Sequence, residues 1–529
     1  MRCDIAVIGG GHNGLVAAAL LARGGLDTLL LERRETLGGA CVTEELWRGY
    51  RVSRAAYVAG LLRPAMLSEL DLARHGLELL PRDPASHTPL PDGRRLLLGR
   101  DAAENARQIA QFSRRDAERF PAYEALLDRV ARALEPLLDA TPPDPGRPHP
   151  RDLWPLLRAG GAALRLGGDL PVALQLLLGP ARGALESWFE SEPLLGTLGT
   201  DAVIGAWASP STPGTGYVLF HHVMGETGGA RGVWAYVRGG MGGLTDALAG
   251  AARAAGARLR TGAPVRRICT RQGRTLGVEL EDGSEVEARA VVSSADPRRT
   301  LLDWVGSDVL PDALVRALEA LDFRSGSLKL NLALDRLPRF VGCKGDRPGP
   351  EHRGTTHVGA RSLDELDVAF AAAERGELPQ RPMVELTLPS AVDDTLAPKG
   401  KHVASLFVQH VPAGLTAAEW DTRRDAFADR CCAMVDEVAP GFSESVLHRE
   451  VLAPPDLERV FGLTGGNLFH GAMTLDRLFF LRPTPGLGRY RTPIAGLYLC
   501  GAGTHPGGGV MGACGRNAAR EILRDWKRR

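Results

Sequence analysis

Residues 37–46 read LGGACVTEEL and place a thiol, Cys41, shortly after a pair of glycines. A thiol in this position can form half of a redox disulfide, which in the reductase arrangement needs a second cysteine at position 46. That position is Leu46, and the next cysteine along the chain is Cys269. The sequence therefore predicts that Cys41 is a small packed residue rather than half of a redox pair.

Three glycines with the spacing G-x-G-x-x-G, Gly9, Gly11 and Gly14, follow a short apolar run. Gly9 is expected to make a tight turn, Gly11 to let a pyrophosphate approach the backbone, and Gly14 to let a helix pack closely on a strand. The helix N-terminus would face the phosphate charge. Glu32 lies 23 residues after Gly9, where its carboxylate can accept both ribose hydroxyls and would repel the 2′-phosphate of NADP. Together these residues predict a dinucleotide site.

A glycine pair soon after the second predicted strand, Gly38 and Gly39, favours FAD over NAD at this site. Such a pair lets the chain run close to the ribityl and phosphate groups of a flavin, and a simple turn is the alternative interpretation. The predicted FAD-binding residues of this N-terminal region are Gly9, Gly10, Gly11, Asn13, Gly14, Glu32, Arg33, Gly38, Gly39 and Ala40.

The C-terminal glycines form a second formal match to G-x-G-x-x-G, at Gly507, Gly509 and Gly512. Six residues separate this match from the preceding predicted strand, and no acidic strand end follows, which argues against a separate NAD(P)H site. We expect these glycines to let backbone amides lie against the flavin. The predicted contacts in this region are Gly501, Gly509, Val510 and Met511.

Because a flavin itself takes the hydride, few side chains should have a catalytic signature. Lys329 is one candidate, since it stands in an alternating run on the face opposite the leucines, although a solvated or salt-bridged lysine fits equally. His470, in a glycine-rich turn, is a candidate contact to substrate or flavin. His221 and His222 are adjacent in a predicted strand, so only one can face a cleft, and His222 is the candidate. A hydrogen-bonded structural histidine is the alternative in each case.

The elements that must position these residues alternate between strand and helix. Predicted strands at 4–8 and 28–31 flank the first helix, a helix and a meander at 239–294 return to the same sheet, and a strand at 497–500 leads into the final helix. We predict an α/β fold with a discontinuous Rossmann-like FAD-binding domain of the two-dinucleotide-binding-domain type at 1–75, 236–300 and 488–529. An inserted α+β substrate or cap domain is predicted at 76–235 and 301–487.

Composition and charge exclude several classes of function. The 529 residues carry a formal net charge of +1, so nothing directs the chain toward nucleic acid. The longest uncharged run, 202–225, contains Pro210 and Pro213 and is predicted as helix end, loop and strand rather than a membrane span. No Ser/His/Asp triad and no metal-ligand spacing occurs, so no metal site is predicted.

Residues 151–190 combine leucine and alanine runs with spaced arginines, Arg158, Arg165 and Arg182. Two interpretations are open: helices that line an apolar tunnel or contact a membrane surface, and ordinary helices that pack the cap domain. The pattern favours the second. The scattered cysteines favour a reducing compartment, and a first strand at residue 3 or 4 leaves no room for a leader, so a cytoplasmic location is expected.

Several motifs carry a family resemblance along essentially the whole chain. They are IGGGHNGLVAAALLARGG, ERRETLGGACVTEEL, HHVMGE, YVRGGMGGLTDAL, PPDLERVFGLTGGNLFHGAM and LCGAGTHPGGGVMGACGRNAA. They resemble the pyridine nucleotide-disulfide oxidoreductase domain-containing protein 2 family and, more distantly and chiefly at the two ends, phytoene desaturase-type flavoproteins.

The resemblance implies an FAD-binding fold in which the backbone at Val265 meets the adenine. In amine-oxidase-like relatives a strand lysine, here matched by Lys329, reaches flavin N5 through water. The animal member is mitochondrial, which implies the mitochondrial matrix if this chain is eukaryotic. The desaturase likeness implies that hydrogen is removed from a lipophilic substrate.

Two hypotheses about function remain. The first is an FAD-dependent oxidoreductase that removes a hydride from a small organic substrate, by desaturation of a C–C bond or oxidation at a C–N bond, and that is not a disulfide reductase. The second is an FAD-binding regulatory or partner-binding flavoprotein with little catalysis. Peripheral membrane contact is compatible with both, and the sequence does not specify an oligomeric state.

Overall fold

The computed structural model describes residues 1–146, 148–227, 230–231, 233–343 and 347–528. The strands are β1 (Arg2–Ile8), β2 (Thr28–Leu31), β3 (Thr43–Trp47), β4 (Tyr50–Ser53), β5 (Leu79–Pro81), β6 (Ser86–Pro89), β7 (Arg95–Leu98), β8 (Glu226–Thr227), β9 (Ala230–Arg231), β10 (Ala235–Val237), β11 (Arg258–Arg260), β12 (Val265–Arg271), β13 (Arg274–Leu280), β14 (Glu285–Ser293), β15 (Leu328–Leu334), β16 (Thr355–Val358), β17 (Met383–Thr387), β18 (His402–Gln409), β19 (Val446–Leu452) and β20 (Leu497–Leu499). The α-helices are α1 (His12–Arg23), α2 (Pro64–Glu69), α3 (Ala102–Ala110), α4 (Arg114–Leu138), α5 (Leu153–Leu166), α6 (Leu170–Leu178), α7 (Ala181–Glu186), α8 (Glu192–Thr200), α9 (Thr215–Val223), α10 (Gly242–Ala254), α11 (Asp312–Glu319), α12 (Leu363–Glu374), α13 (Ala417–Asp436), α14 (Pro454–Phe461) and α15 (Ala513–Trp526).

One sheet gathers strands from the beginning, middle and end of the chain, in the order β11-β2-β1-β14-β13-β12, with β20 also paired to β14. β11, β2, β1, β14 and β20 run parallel, whereas β12, β13 and β14 form an antiparallel meander. Ile5 and Val7 of β1 pack in one core cluster, and Ala6 and Ile8 pack in another on the opposite face. Burial on both faces is expected of parallel strands.

Helix α1 packs against this sheet between α10 and α15. Its alanines, Ala17 to Ala19, are fully buried. Close contact with α15 depends on Gly515, because a Cβ there would lie 2.2 Å from the carbonyl oxygen of Asn13. The packing therefore fixes the N-terminus of α1 at the carboxyl end of β1.

A second sheet has the order β19-β15-β18-β17-β16-β6-β7. Its strand β15 lies between β18 and β19, antiparallel to both. The leucines of β15 pack against α13 in one core cluster, while Lys329 and Asn331 face the opposite way, toward residues 54–57. The alternation predicted for this strand is confirmed, although both of its faces are buried.

Helices α3 to α9 cover the strands β6 and β7 of the second sheet. The strand predicted near the end of 202–225 is wrong, because these residues contain the helix α9. Close packing onto α6 favours this helix over the β-propensity of its valines and aromatic residues. A Cβ on Gly216 would lie 1.9 Å from the carbonyl oxygen of Leu176, so the contact requires glycine.

Candidate functional site

A cavity of about 440 Å³, called here the first cavity, opens at the carboxyl ends of β1 and β2. Its walls come from the turn after β1, residues 55–61, the start of β12, and the loops that follow β14 and β20. In open α/β sheets, ligands bind outside the carboxyl ends of the strands. The first cavity is therefore in the position of a nucleotide site.

The turn after β1 has the shape that a pyrophosphate requires. Gly9 has a φ of +94°, which favours glycine. A Cβ on Gly14 would lie 2.0 Å from the carbonyl oxygen of Gly9, so α1 can begin this close to β1 only with glycine. A Cβ on Gly11 would meet no atom within 4 Å, since that position faces the cavity. The unpaired N–H groups at the start of a helix suit a phosphate there.

The glycine pair Gly38 and Gly39 brings a second loop against this turn. The N–H of Gly38 donates to the carbonyl oxygen of Gly10 at 2.9 Å, and a Cβ on Gly39 would lie 3.1 Å from Cα of Gly11. The Glu32 carboxylate accepts the N–H groups of Gly10 at 2.7 Å and Arg34 at 2.9 Å. Each carboxylate oxygen keeps a lone pair for a ribose hydroxyl. The residues present thus fit the adenosine diphosphate part of FAD.

The structure brings most of the predicted FAD-binding residues together. Those that line the first cavity are Gly9, Gly11, Asn13, Glu32, Arg33, Gly39, Ala40, Val265, Gly509 and Val510. Those that do not line it are Gly10, Gly14, Gly38, Gly501 and Met511. Gly501 lies against the backbone of Ser294, and Met511 packs in a core cluster with Leu61. These five residues shape the loops that surround the cavity.

Sequence reasoning missed His12, which stands inside the glycine fingerprint and lines the cavity. Its Nδ1 lies 3.8 Å from Cys41 Sγ, and its Nε2 is buried without a hydrogen-bond partner among the described residues. Burial, followed by the nearby His470, lowers the pKa of His12 to about 4. Arg299 and Trp304 were also missed; they lie on a π-helical turn, Arg299–Val305, of a kind often found at functional sites.

Cys41 lines the first cavity but is fully buried, and burial raises the pKa of its thiol to about 12. A thiol that is not ionised is a poor nucleophile. All eight cysteines are free. The structure thus gives Cys41 the surroundings of a packed residue, as the sequence predicts, and no disulfide partner.

A second cavity of about 470 Å³ adjoins the first, and the two share the side chains Tyr57, Val58, Ile204 and Trp234. One wall is largely apolar, with Leu127 of α4 and Leu219 and Val223 of α9. The opposite wall is polar and comes from residues 82–86 and the strands β16 and β17. A molecule in this cavity would reach the first cavity past Tyr57.

The polar wall is a connected set of buried groups. The hydroxyl of Tyr57 donates to Glu385 Oε2, and Glu385 Oε1 lies 3.8 Å from Nδ1 of His357. Arg82 donates to Thr355 Oγ1 at 2.5 Å. Burial raises the pKa of Glu385 and lowers that of His357 to about 3. His357 is therefore neutral, and Glu385 holds a proton more readily than an exposed glutamate.

Asp201 lines the second cavity at the C-terminal end of α8. Its carboxyl has no hydrogen-bond partner within the described part of the chain. Burial, followed by the charge of Glu385, raises its pKa to about 7. The negative end of the helix dipole also disfavours a carboxylate at this position. Asp201 is thus poised to take a hydrogen-bond donor or a cation from a bound molecule.

The three candidate catalytic residues lie at different depths. Lys329 lines neither cavity: its Nζ donates to Ser405 Oγ and lies 4.1 Å above the ring of Tyr57, one layer behind the wall. Burial lowers its pKa to about 7. His470 lines the first cavity with a left-handed φ of +55°, and its Nδ1 has no partner among the described residues.

His222 also lines the first cavity, and its Nδ1 donates to the carbonyl oxygens of Asp201 and Val218, both at 2.9 Å. Because these residues form a helix rather than the predicted strand, His221 is buried as well, and its Nε2 donates to the Gly508 carbonyl at 3.0 Å. Among the described residues, no group of three or more His, Cys, Asp or Glu could hold a metal ion.

A Rossmann-like sheet with a glycine turn, an acidic strand end and an adjoining cavity defines an FAD-dependent flavoprotein, and the comparisons agree. Residues 14–523 match the family described as flavin containing amine oxidoreductase. The chain therefore belongs to this family, and its cofactor is FAD. A putrescine oxidase structure with putrescine bound has the same fold, with 15% identity and a TM-score of 0.58 over 100% of both chains.

More narrowly, the chain belongs to the family of pyridine nucleotide-disulfide oxidoreductase domain-containing protein 2. It is 49% identical to that protein from Rattus norvegicus, over 99% of this chain and 94% of the relative. A limonene dehydrogenase polypeptide from Castellaniella defragrans is 28% identical over 99% of this chain and 95% of its own. A lycopene-forming phytoene desaturase from Pseudescherichia vulneris is 26% identical over 96% of each.

Proposed function

We propose that this protein is an FAD-dependent dehydrogenase that takes a hydride from a lipophilic organic molecule bearing a polar group. The observation that carries the proposal is the second cavity, which has one apolar wall and one polar wall and meets the first cavity at Tyr57. The names of two relatives, a limonene dehydrogenase and a phytoene desaturase, support removal of hydrogen from an apolar skeleton.

FAD, when bound, supplies the hydride acceptor. The residues of the first cavity hold its adenosine diphosphate part: the turn at Gly9 to Gly14 faces the pyrophosphate, and Glu32 faces the ribose. Around the second cavity, the apolar side chains exclude water from the carbon that loses hydrogen. Asp201 and Arg82 can orient the polar group of the substrate.

Formation of a carbon–carbon double bond also releases a proton. Tyr57 Oη lies where the cavities meet and already donates to Glu385 Oε2. A proton that reaches Tyr57 Oη can therefore pass to Glu385, whose raised pKa makes it a suitable acceptor near neutral pH. Lys329, behind the ring of Tyr57, contributes to the charge around this pair.

The test is an anaerobic titration of the purified holoprotein with terpenoids, long-chain alcohols and long-chain amines, followed by the visible flavin absorbance. We expect at least one lipophilic compound to bleach the flavin, and short polar compounds of the same functional class to leave it oxidised. If a chemical reductant bleaches the flavin but no compound in the panel does so, the alternative of a regulatory flavoprotein is favoured.

A further inference from the structure

Helices α5 and α6 carry an unusual concentration of exposed apolar side chains. Of the fourteen large hydrophobic residues that are exposed in the described part of the chain, eight lie here. They are Leu153, Trp154, Leu156, Leu157, Leu164, Val172, Leu174 and Leu178, and we call them the apolar face. Leu164 is 84% exposed and Trp154 is 62% exposed. The packing role favoured from the sequence does not account for side chains that contact so little protein.

The geometry of this segment suits a surface rather than a span. Among the described residues, Pro150–Leu178 is long and apolar enough to cross a membrane by length and composition alone. It is broken at Gly167, which has a φ of +49°, into helices of 14 and 9 residues. At 1.5 Å per residue these helices are about 21 and 14 Å long, against about 30 Å of bilayer hydrocarbon. Each helix can lie in an interface but neither can traverse a bilayer.

Arginines border the apolar face. Arg151, Arg158 and Arg165 are exposed, and none of them has a salt bridge among the described residues. The guanidinium of Arg158 lies 5.4 Å from the centroid of the Trp154 ring. A groove of about 760 Å³ beside Trp154 is lined by further arginines, Arg489, Arg491, Arg520, Arg524 and Arg528. Acidic residues also line it, and several are paired, such as Asp152 with Arg489 and Asp525 with Arg491.

We propose that the apolar face docks this protein on a lipid bilayer that contains anionic phospholipid. The apolar side chains would enter the acyl boundary, and the bordering arginines would meet lipid phosphates. Arginine and tryptophan side by side match the composition of membrane interfaces. The charge of the border favours this occupant over a second copy of the chain, whose own apolar face would bring the same arginines into repulsion.

The position of the face also suits the proposed function, on which this one step rests. Tyr123 and Leu127 of α4 line the second cavity on one side. The same two residues form the floor of a small cleft with Val172, which belongs to the apolar face. A lipophilic substrate dissolved in the bilayer would therefore meet the protein one helix away from the second cavity.

The test is co-sedimentation of the full-length holoprotein with vesicles of phosphatidylcholine alone or mixed with phosphatidylglycerol, at low and high salt. We expect binding to the mixed vesicles that weakens as salt is raised. The triple variant Trp154→Gln, Leu157→Gln, Leu164→Gln should bind about tenfold or more weakly. Replacement of Arg151, Arg158 and Arg165 by Gln should remove about tenfold of the preference for anionic vesicles.

The matched control is Val368→Gln with Leu447→Gln, two exposed apolar residues elsewhere, at 70% and 45% exposure, whose replacement should leave binding unchanged. Retained flavin absorbance shows that each variant is folded. Absence of vesicle binding, or binding that the triple variant retains, overturns the proposal. So does an oligomer in vesicle-free ultracentrifugation that the triple variant dissociates, which would identify a self-association surface. Because no substrate is present, these outcomes leave the proposed dehydrogenase activity to its own test.

Discussion

The two cavities meet at Tyr57, yet they are built in different ways. The first is lined in large part by backbone, at the glycines Gly9, Gly11, Gly39 and Gly509. The polar wall of the second consists of side chains, among them Arg82, Asp201, His357 and Glu385. A backbone wall presents the same N–H and C=O groups whatever the neighbouring side chains are. The first cavity is thus suited to a constant ligand, and the second to a ligand selected by a few individual groups.

The strongest test of the backbone wall is the pair Gly14→Ala and Gly11→Ala. The Gly14 variant places a Cβ 2.0 Å from a carbonyl oxygen, so we expect a loss of about 3 kcal/mol or more in the free energy of unfolding, and loss of FAD. The Gly11 variant meets no protein atom within 4 Å, so the apoprotein should unfold at the wild-type temperature while FAD binds more weakly. Thermal unfolding and flavin content separate the two. Equal destabilisation of both apoproteins would contradict this account.

The side-chain wall is tested by Glu385→Gln and Tyr57→Phe. Both should retain FAD, because neither group belongs to the glycine turn, and both should slow flavin reduction by about 100-fold with a substrate that forms a double bond. Anaerobic stopped-flow absorbance measures the rate, and the flavin spectrum before mixing verifies loading. Wild-type rates in both variants would remove the pair from the proposed proton path.

A smaller effect is expected from Asp201→Asn. Burial raises the pKa of Asp201 from its usual 3.8 to about 7, so the folded chain binds this proton more tightly than the unfolded chain. The free energy of unfolding of the wild type should therefore fall as pH rises through that window, whereas the variant lacks this titration. We expect the variant to gain roughly 1–2 kcal/mol relative to wild type between the two ends, since the carboxyl faces a cavity rather than packed protein. Denaturant unfolding across the window measures the difference, and parallel curves would refute it.

Lys329→Met asks whether a residue behind the wall takes part in chemistry. The amine is buried and its pKa is lowered to about 7, so an apolar side chain should leave the free energy of unfolding unchanged or raise it by about 1 kcal/mol. We expect flavin reduction within about threefold of wild type, because Lys329 touches neither cavity. A loss comparable to that of Glu385→Gln would instead support the water-mediated contact to flavin N5 that the family resemblance implies.

Cys41→Ser should have the smallest effect. The thiol is buried and lacks a disulfide partner, so FAD binding and flavin reduction should persist with a stability cost of about 1 kcal/mol. Flavin content and anaerobic reduction measure both properties. A variant that binds FAD but no longer accepts electrons would restore the redox interpretation of this thiol.

The sequence predicts the backbone wall well because close backbone approach leaves glycine as the residue that fits. The spacing of Gly9, Gly11 and Gly14 and the acid at Glu32 are local, and the structure places them at the predicted strand and helix ends. His12 was missed even though it stands within that local pattern, because the fingerprint assigns no role to its position.

The side-chain wall could not be predicted in the same way. Tyr57, Asp201 and Glu385 come from distant parts of the chain, and only the pairing of strands and the packing of helices brings them together. Helix α9 shows a related limit. Its valines, tyrosine and phenylalanine favour a strand locally, whereas contact with α6 makes it a helix.

Trp234 belongs to the wall shared by the two cavities, and its indole stacks on the imidazole of His222 at 5.8 Å between ring centroids. An indole emits light whose colour and intensity follow its immediate surroundings, and a nearby flavin absorbs that emission. Occupation of either compartment therefore changes the fluorescence of this one residue. The protein carries an internal optical probe, and entry of an unknown compound can be observed before any reaction has been found.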